Sequence, residues 1–157
     1  MALTLGGAGD LALARDRLDE ADGHYARAEA LFASLGSRYV HGVRLHRATI
    51  GLLRGDAGAR QYLAGVVGAA GRDPLALAQA QIGLAVCAGR DGAWHEFDAA
   101  IAAALAQVAQ ARETRPVLVQ LLGGASETAR IAGEVARAEQ VTAIAARQAQ
   151  RLRPVGE

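Results

Sequence analysis

Few residues in this chain are equipped for chemistry. It has four histidines, His24, His41, His46 and His95, and a single cysteine, Cys87. Asp91, His95 and Asp98 fall on one helical face, a carboxylate–imidazole–carboxylate ladder of the kind that holds a metal. A structural zinc site takes four ligands, so a helix cap beside solvated polar positions is the simpler reading, and no metal or cofactor is expected. His41 and His46 are five apart and do not share a helix face. Glu20 and His24 make an ordinary i,i+4 surface pair. Cys87 sits near the end of an apolar helix and reads as a small core residue, because the sequence places no base beside it. In the run LLGGASETA, Gly123 and Gly124 precede Ser126, yet the GxSxG elbow is missing. Arg54-Gly55-Asp56 reads as a helix end, a break and the next helix start. Arg137, Arg147, Arg151 and Arg153 make the final helix basic, either as a solvated face or as a contact for an acidic partner.

The elements that would position these residues are helices throughout. Ala, the best helix former, is abundant, and no period-two run suggests a strand. Gly36, Gly55, Gly71, Gly89 and Gly133 punctuate the chain. The pattern predicts helices near Ala2–Arg15, Arg17–Leu35, Ser37–Leu53, Asp56–Ala70, Pro74–Ala88 and Asp91–Arg112. A seventh starts at about Pro116, and an eighth follows Gly133 and ends before Pro154. Leu18, Ala21, Tyr25, Ala28 and Phe32 form one apolar stripe; Trp94, Phe97, Ile101, Leu105 and Val108 form another. Leu118, Leu122, Ala125, Ala129 and Ala132 form a third. Asp73 before Pro74 is a strong helix start. Gly6, Gly7 and Gly9 weaken the first helix. Short connections make consecutive helices antiparallel neighbours, giving an all-α solenoid of about four helix pairs in one domain, 1–153, with a tail at 154–157.

The chain of 157 residues carries a formal net charge of +1, which argues against a general polyanion binder. Its basic residues are all Arg, and it has neither Lys nor Asn. Aromatics are 4%, too few for base-stacking platforms, so nucleic acid is not the expected partner. No run reaches the roughly 18–20 apolar residues of a membrane span, and the start MALTLGGAGDLALA does not read as a secretory signal. With one cysteine the chain reads as cytoplasmic.

A helix pattern recurs. DRLDEADGHYARAEAL at 16–31 and GEVARAEQVTAIAARQ at 133–148 place Ala21 and Ala28, and Ala138 and Ala145, at matching positions. Leu5, Gly9, Ala21, Tyr25 and Ala28 in the first pair, and Leu122, Gly133, Ala138 and Ala145 in the last, resemble the tetratricopeptide repeat. Asp16 stands at the turn position of the first pair, with Gly55, Gly89 and Gly133 at the others. The second pair keeps Gly55 and Ala48; the third puts Trp94 where an Ala is expected. The wording of the first two helices and of the last also resembles the C-terminal arrays of large bacterial serine/threonine kinase or ATPase regulators, though no kinase or ATPase motif is present. The resemblance implies a non-catalytic protein-interaction scaffold in signalling, with a structural or homo-oligomerisation module as the alternative.

Such an array usually holds a peptide in a groove lined by the first helix of each pair. By register the lining would be Asp10 and Leu13, Leu45 and Thr49, Gln79 and Val86, and Glu127 and Arg130. A carboxylate clamp needs Lys and Asn there, and this chain has neither. Ala2 begins the first pair without a capping element, and Leu3, Leu5, Leu11 and Leu13 make its helix apolar. That end is expected to be covered by further repeats of a longer parent or by a second copy in a homodimer.

Overall fold

Apolar stripes at helical spacing, joined by short turns, produce eight helices and no strand among the described residues. The computed structural model describes residues 1–68, 73–111 and 113–152, with all their side chains except those of Ala2 and Leu3. The helices are α1 (Ala2–Ala14), α2 (Leu18–Ser34), α3 (Val40–Arg54), α4 (Gly58–Gly68), α5 (Pro74–Arg90), α6 (Trp94–Ala111), α7 (Pro116–Ile131) and α8 (Val135–Arg151). The expected break at Gly71 and the expected ends of the fourth and sixth helices lie outside the described residues.

The turns need backbone in the left-handed region, and the chain supplies it at Gly36, Gly55, Gly92 and Gly133. Asp16, at φ 57°, is the one described non-glycine residue there, and Asp tolerates this conformation better than most side chains. Gly89 is not a break. It lies inside α5, where an added Cβ would come 2.9 Å from Thr128 Cγ2 and 3.1 Å from Phe97 Cδ2. Its missing side chain permits close helix approach, and Gly92, at φ 73°, makes the turn. Asp91 accordingly follows α5 instead of capping α6, and its carboxylate pairs with Arg60. Asp73 caps α5 as its type predicts, accepting from the Leu75 and Ala76 amides.

Helices pair as α1 with α2, α3 with α4, α5 with α6 and α7 with α8, and α5 also packs on α3, α4 and α7. The stripe on α2 is buried as expected from Ala21 to Phe32, with Leu18 half-buried. On α6 the fully buried residues are Phe97, Ile101, Ala104 and Val108, while Trp94 and Leu105 are half-buried. On α7 Leu118, Leu122, Ala125 and Ala129 are buried and Ala132 is exposed. Ala145 is half-buried, since α8 turns Ala138, Val141 and Ile144 inward.

The array departs from a strictly sequential stack. α7 also packs on α1, and the Gln120 amide donates to the Leu13 carbonyl at 3.0 Å. α7 thus packs on the first helices of the other three pairs, α1, α3 and α5. The apolar side of α1 is partly covered by α7 of the same chain: Leu13 is buried, Leu5 half-buried and Leu11 exposed. Covering Leu13 within the chain removes apolar surface from water without a second copy.

An ion-pair ladder fixes the register between α2 and α3. Arg44 and Arg47 reach Glu29, Arg47 and Arg54 reach Asp22, and Arg54 also pairs with Asp19. Hydrogen bonds from Arg44 and Arg47 hold the Glu29 carboxyl below its ordinary value. Glu29 and Asp22 are half-buried while Asp19 and Arg44 are exposed, so water still weakens the pairs and the ladder sets geometry more than stability.

Candidate binding groove between the first and third helices

α1 and α3 diverge over α2 and leave a groove of about 210 Å³. One wall is Gly6, Gly7 and Asp10 of α1, spaced to share a helix face. The other is Tyr39, which precedes α3, with Gly42, Val43 and His46. The floor is Tyr25 and Phe32 of α2. Three of the chain's six Phe, Tyr and Trp residues meet here. A Cβ added at Gly6, Gly7 or Gly42 would meet nothing within 4 Å, so these walls are clear. Gly9 serves the opposite purpose. A Cβ there would come 2.6 Å from Tyr25 Cε1, so only glycine lets α1 lie on the Tyr25 ring.

A polar spine runs beneath. The Tyr25 hydroxyl donates to Asp10 Oδ1 at 2.6 Å. Burial, and then the hydrogen bond to Asp10, push the Tyr25 phenol above its ordinary value, so it remains a donor. The Tyr25 and His46 rings stack at 5.0 Å and 8°. Gln79 Nε2 donates to Thr49 Oγ1 at 2.8 Å and faces His46 Nδ1 at 3.4 Å. Thr49 Oγ1 donates in turn to the Leu45 carbonyl.

Burial pulls the His46 imidazole below its ordinary value, Arg115 adds to the effect, and Asp10 opposes it. The unfolded chain therefore takes up a proton near pH 6.5 while the folded chain resists. The stabilising contribution is full above that pH and is lost as pH falls toward the folded value. Thermal melts at about pH 7.5 and 5.5 are expected to show a larger fall in Tm for the native chain than for His46→Gln. Equal falls would mean that His46 titrates alike in both states.

The eight residues expected to line a groove separate into different places. Asp10 lines the α1–α3 groove. Leu13, Leu45, Thr49 and Gln79 are buried where the first helices pack together, and so they do not line a groove. Val86 and Glu127 border a second depression of about 410 Å³ among the C-terminal ends of α3, α5 and α7, although Val86 is itself nearly covered. Arg130 is exposed beside it and pairs with Glu127 at 2.5 Å. The physical reason is that the first helices converge instead of spreading into a concave sheet. Aromatic Tyr39 and the glycines at 6, 7 and 42 were not legible as a site. Their one signal was glycine within helices, which reads first as weakness.

The other candidates take structural places. Among the described residues, no three His, Cys, Asp or Glu side chains are grouped to hold a metal. Asp98 pairs with Arg137, which also lies over the Trp94 ring. Cys87 is buried. Ser126 Oγ donates to the Ala138 carbonyl at 2.9 Å and so joins α7 to α8. His24 lies 3.8 Å from Glu20. Gly55, at φ 93°, places Arg54-Gly55-Asp56 in a turn. No helix among the described residues is long and apolar enough to cross a membrane.

No protein-family model matches the chain, and no curated protein or solved structure gives a match.

Proposed function

We propose that the chain is a non-catalytic protein-interaction module and that the α1–α3 groove receives a segment of its partner. The observation that carries this reading is the groove itself: clear glycine walls, the exposed Tyr39 ring and one carboxylate over a buried aromatic floor, held in shape by the Tyr25–His46–Gln79 spine. The hydrogen bonds of Tyr25 and His46 are spent on orientation, which suits recognition better than proton transfer. We read the chain as a tetratricopeptide-like array of a cytoplasmic bacterial signalling regulator, one whose α1–α7 contact departs from the open stack of such arrays. Its support is the four helix pairs and the left-handed turns at Asp16, Gly55, Gly92 and Gly133. With the third turn at Gly92, Ala104 falls twelve residues after it, as Ala28 does after Asp16 and Ala145 after Gly133.

Selection of random peptides displayed on phage against the whole chain tests the reading. Clones that bind the native chain and not Gly42→Leu are expected. Recovery only of clones indifferent to Gly42→Leu would overturn the assignment of the groove. Gly42→Ala supplies the control on stability. Alanine there is expected to raise stability by up to about 1 kcal/mol, because it favours the helix and meets open space. A lowered midpoint in urea would contradict the open wall.

The homo-oligomerisation reading draws support from one other place. Ile131 is 76% exposed and Val135 58%, and they flank the α7–α8 turn beside the apolar depression of Leu53, Val86 and Ala132. Self-association would then use this end, while Leu11 stays exposed at the N-terminal one. Mass in solution against concentration, for the native chain and Ile131→Glu, separates the two: the variant is expected to remain monomeric where the native chain pairs.

A further inference from the structure

The geometry points to a more specific occupant of the α1–α3 groove: the guanidinium of an arginine side chain on the partner segment. This rests on the proposed function and names what the groove selects. Asp10 places a carboxylate in the groove, and Tyr25 fixes it by donating to Oδ1, which orients the carboxylate without neutralising it. Among the described residues Asp10 enters no ion pair, nor do Asp16, Asp56, Glu96 and Glu139, and of these Asp10 is the one that lines the groove. The rest of the lining is glycine, Val43, His46 and three aromatic rings, of which Tyr39 is exposed while Tyr25 and Phe32 are buried as the floor. Aromatic faces attract cations through the ring quadrupole, and a planar guanidinium both stacks on a ring and binds a carboxylate in two-pronged fashion.

The exposed ring at the rim is already met by the chain's own neighbouring guanidinium, which an arriving arginine displaces. Arg38 lies with its guanidinium carbon 5.7 Å from the centre of the Tyr39 ring, the ring that is 54% exposed at the groove mouth. Phe32 backs Tyr39 at 5.7 Å in a tilted pair, so the ring is held. A volume of about 210 Å³ suits one long side chain, and the open glycine walls leave room for the backbone that carries it. Arg115, which influences His46, is engaged with Asp73 at 3.2 Å.

The test uses amide resonances of the isotopically labelled whole chain, in which glycine signals are well separated from the rest. Titration with N-acetyl-arginine amide is expected to shift Gly6, Gly7 and Gly42 in a saturable way. The neutral isostere N-acetyl-citrulline amide is expected to give no saturable shift at those three. Asp10→Asn, which keeps a carbonyl oxygen for the Tyr25 hydroxyl, is expected to weaken arginine binding about fivefold, the scale of an exposed ion pair. Equal shifts from arginine and citrulline would overturn the proposal, as would full affinity in Asp10→Asn with unchanged folding. Groove-dependent peptides that lack arginine would overturn this inference and leave the proposed function standing. Failure to recover any groove-dependent peptide would remove both.

Discussion

Replacing Tyr25 by Ala is expected to destabilise the chain by roughly 3–5 kcal/mol, the range for truncating a buried aromatic. Tyr25 is 1% exposed, lies under Gly9 of α1, stacks on His46 of α3 and donates to Asp10. Its removal empties the point where three helices meet and strands the Asp10 carboxylate without its donor. At about 2–4 °C per kcal/mol for a domain of this size, Tm should fall by roughly 10 °C. Tyr25→Phe keeps the ring and loses only the hydroxyl, so it is expected to cost about 1 kcal/mol. Thermal melts of the two variants decide the matter. A near-equal loss would show that the hydrogen bond dominates; no loss in either would show that α1 does not rest on this ring.

Leu13→Ala carries the second large effect, expected at roughly 2–5 kcal/mol. The repeat register put Leu13 in an open groove, where truncation changes stability by only about 0.5 kcal/mol. In the structure Leu13 is 1% exposed and its carbonyl receives Gln120 of α7. A large loss in urea denaturation supports the contact between the first and last pairs. A loss near zero would favour the open stack.

These residues mark how far the sequence could be read. Helices were legible because their apolar stripes and turn residues are local signals: Ala21, Tyr25 and Ala28 are buried, and Gly36, Gly55 and Gly133 turn the chain. Gly89 misled because a glycine that allows close approach looks, in one dimension, like a glycine that turns. The true turn, Gly92, stands three residues on. The convergence of the first helices was not legible, because α1 and α7 lie about a hundred residues apart and nothing local specifies their meeting. That convergence buried Leu45, Thr49 and Gln79. It left Asp10 as the expected lining residue on the α1–α3 groove, beside His46, whose spacing from His41 pointed to no shared site.

The most direct measurement of the groove's role is the affinity of a selected peptide, read by fluorescence anisotropy, for the native chain and for Gly42→Leu with its thermal midpoint recorded alongside. Leucine at 42 enters open space on the groove wall, so the variant is expected to melt at or above the native midpoint while its affinity falls at least tenfold. Undiminished affinity in a fully folded Gly42→Leu chain would contradict binding between α1 and α3.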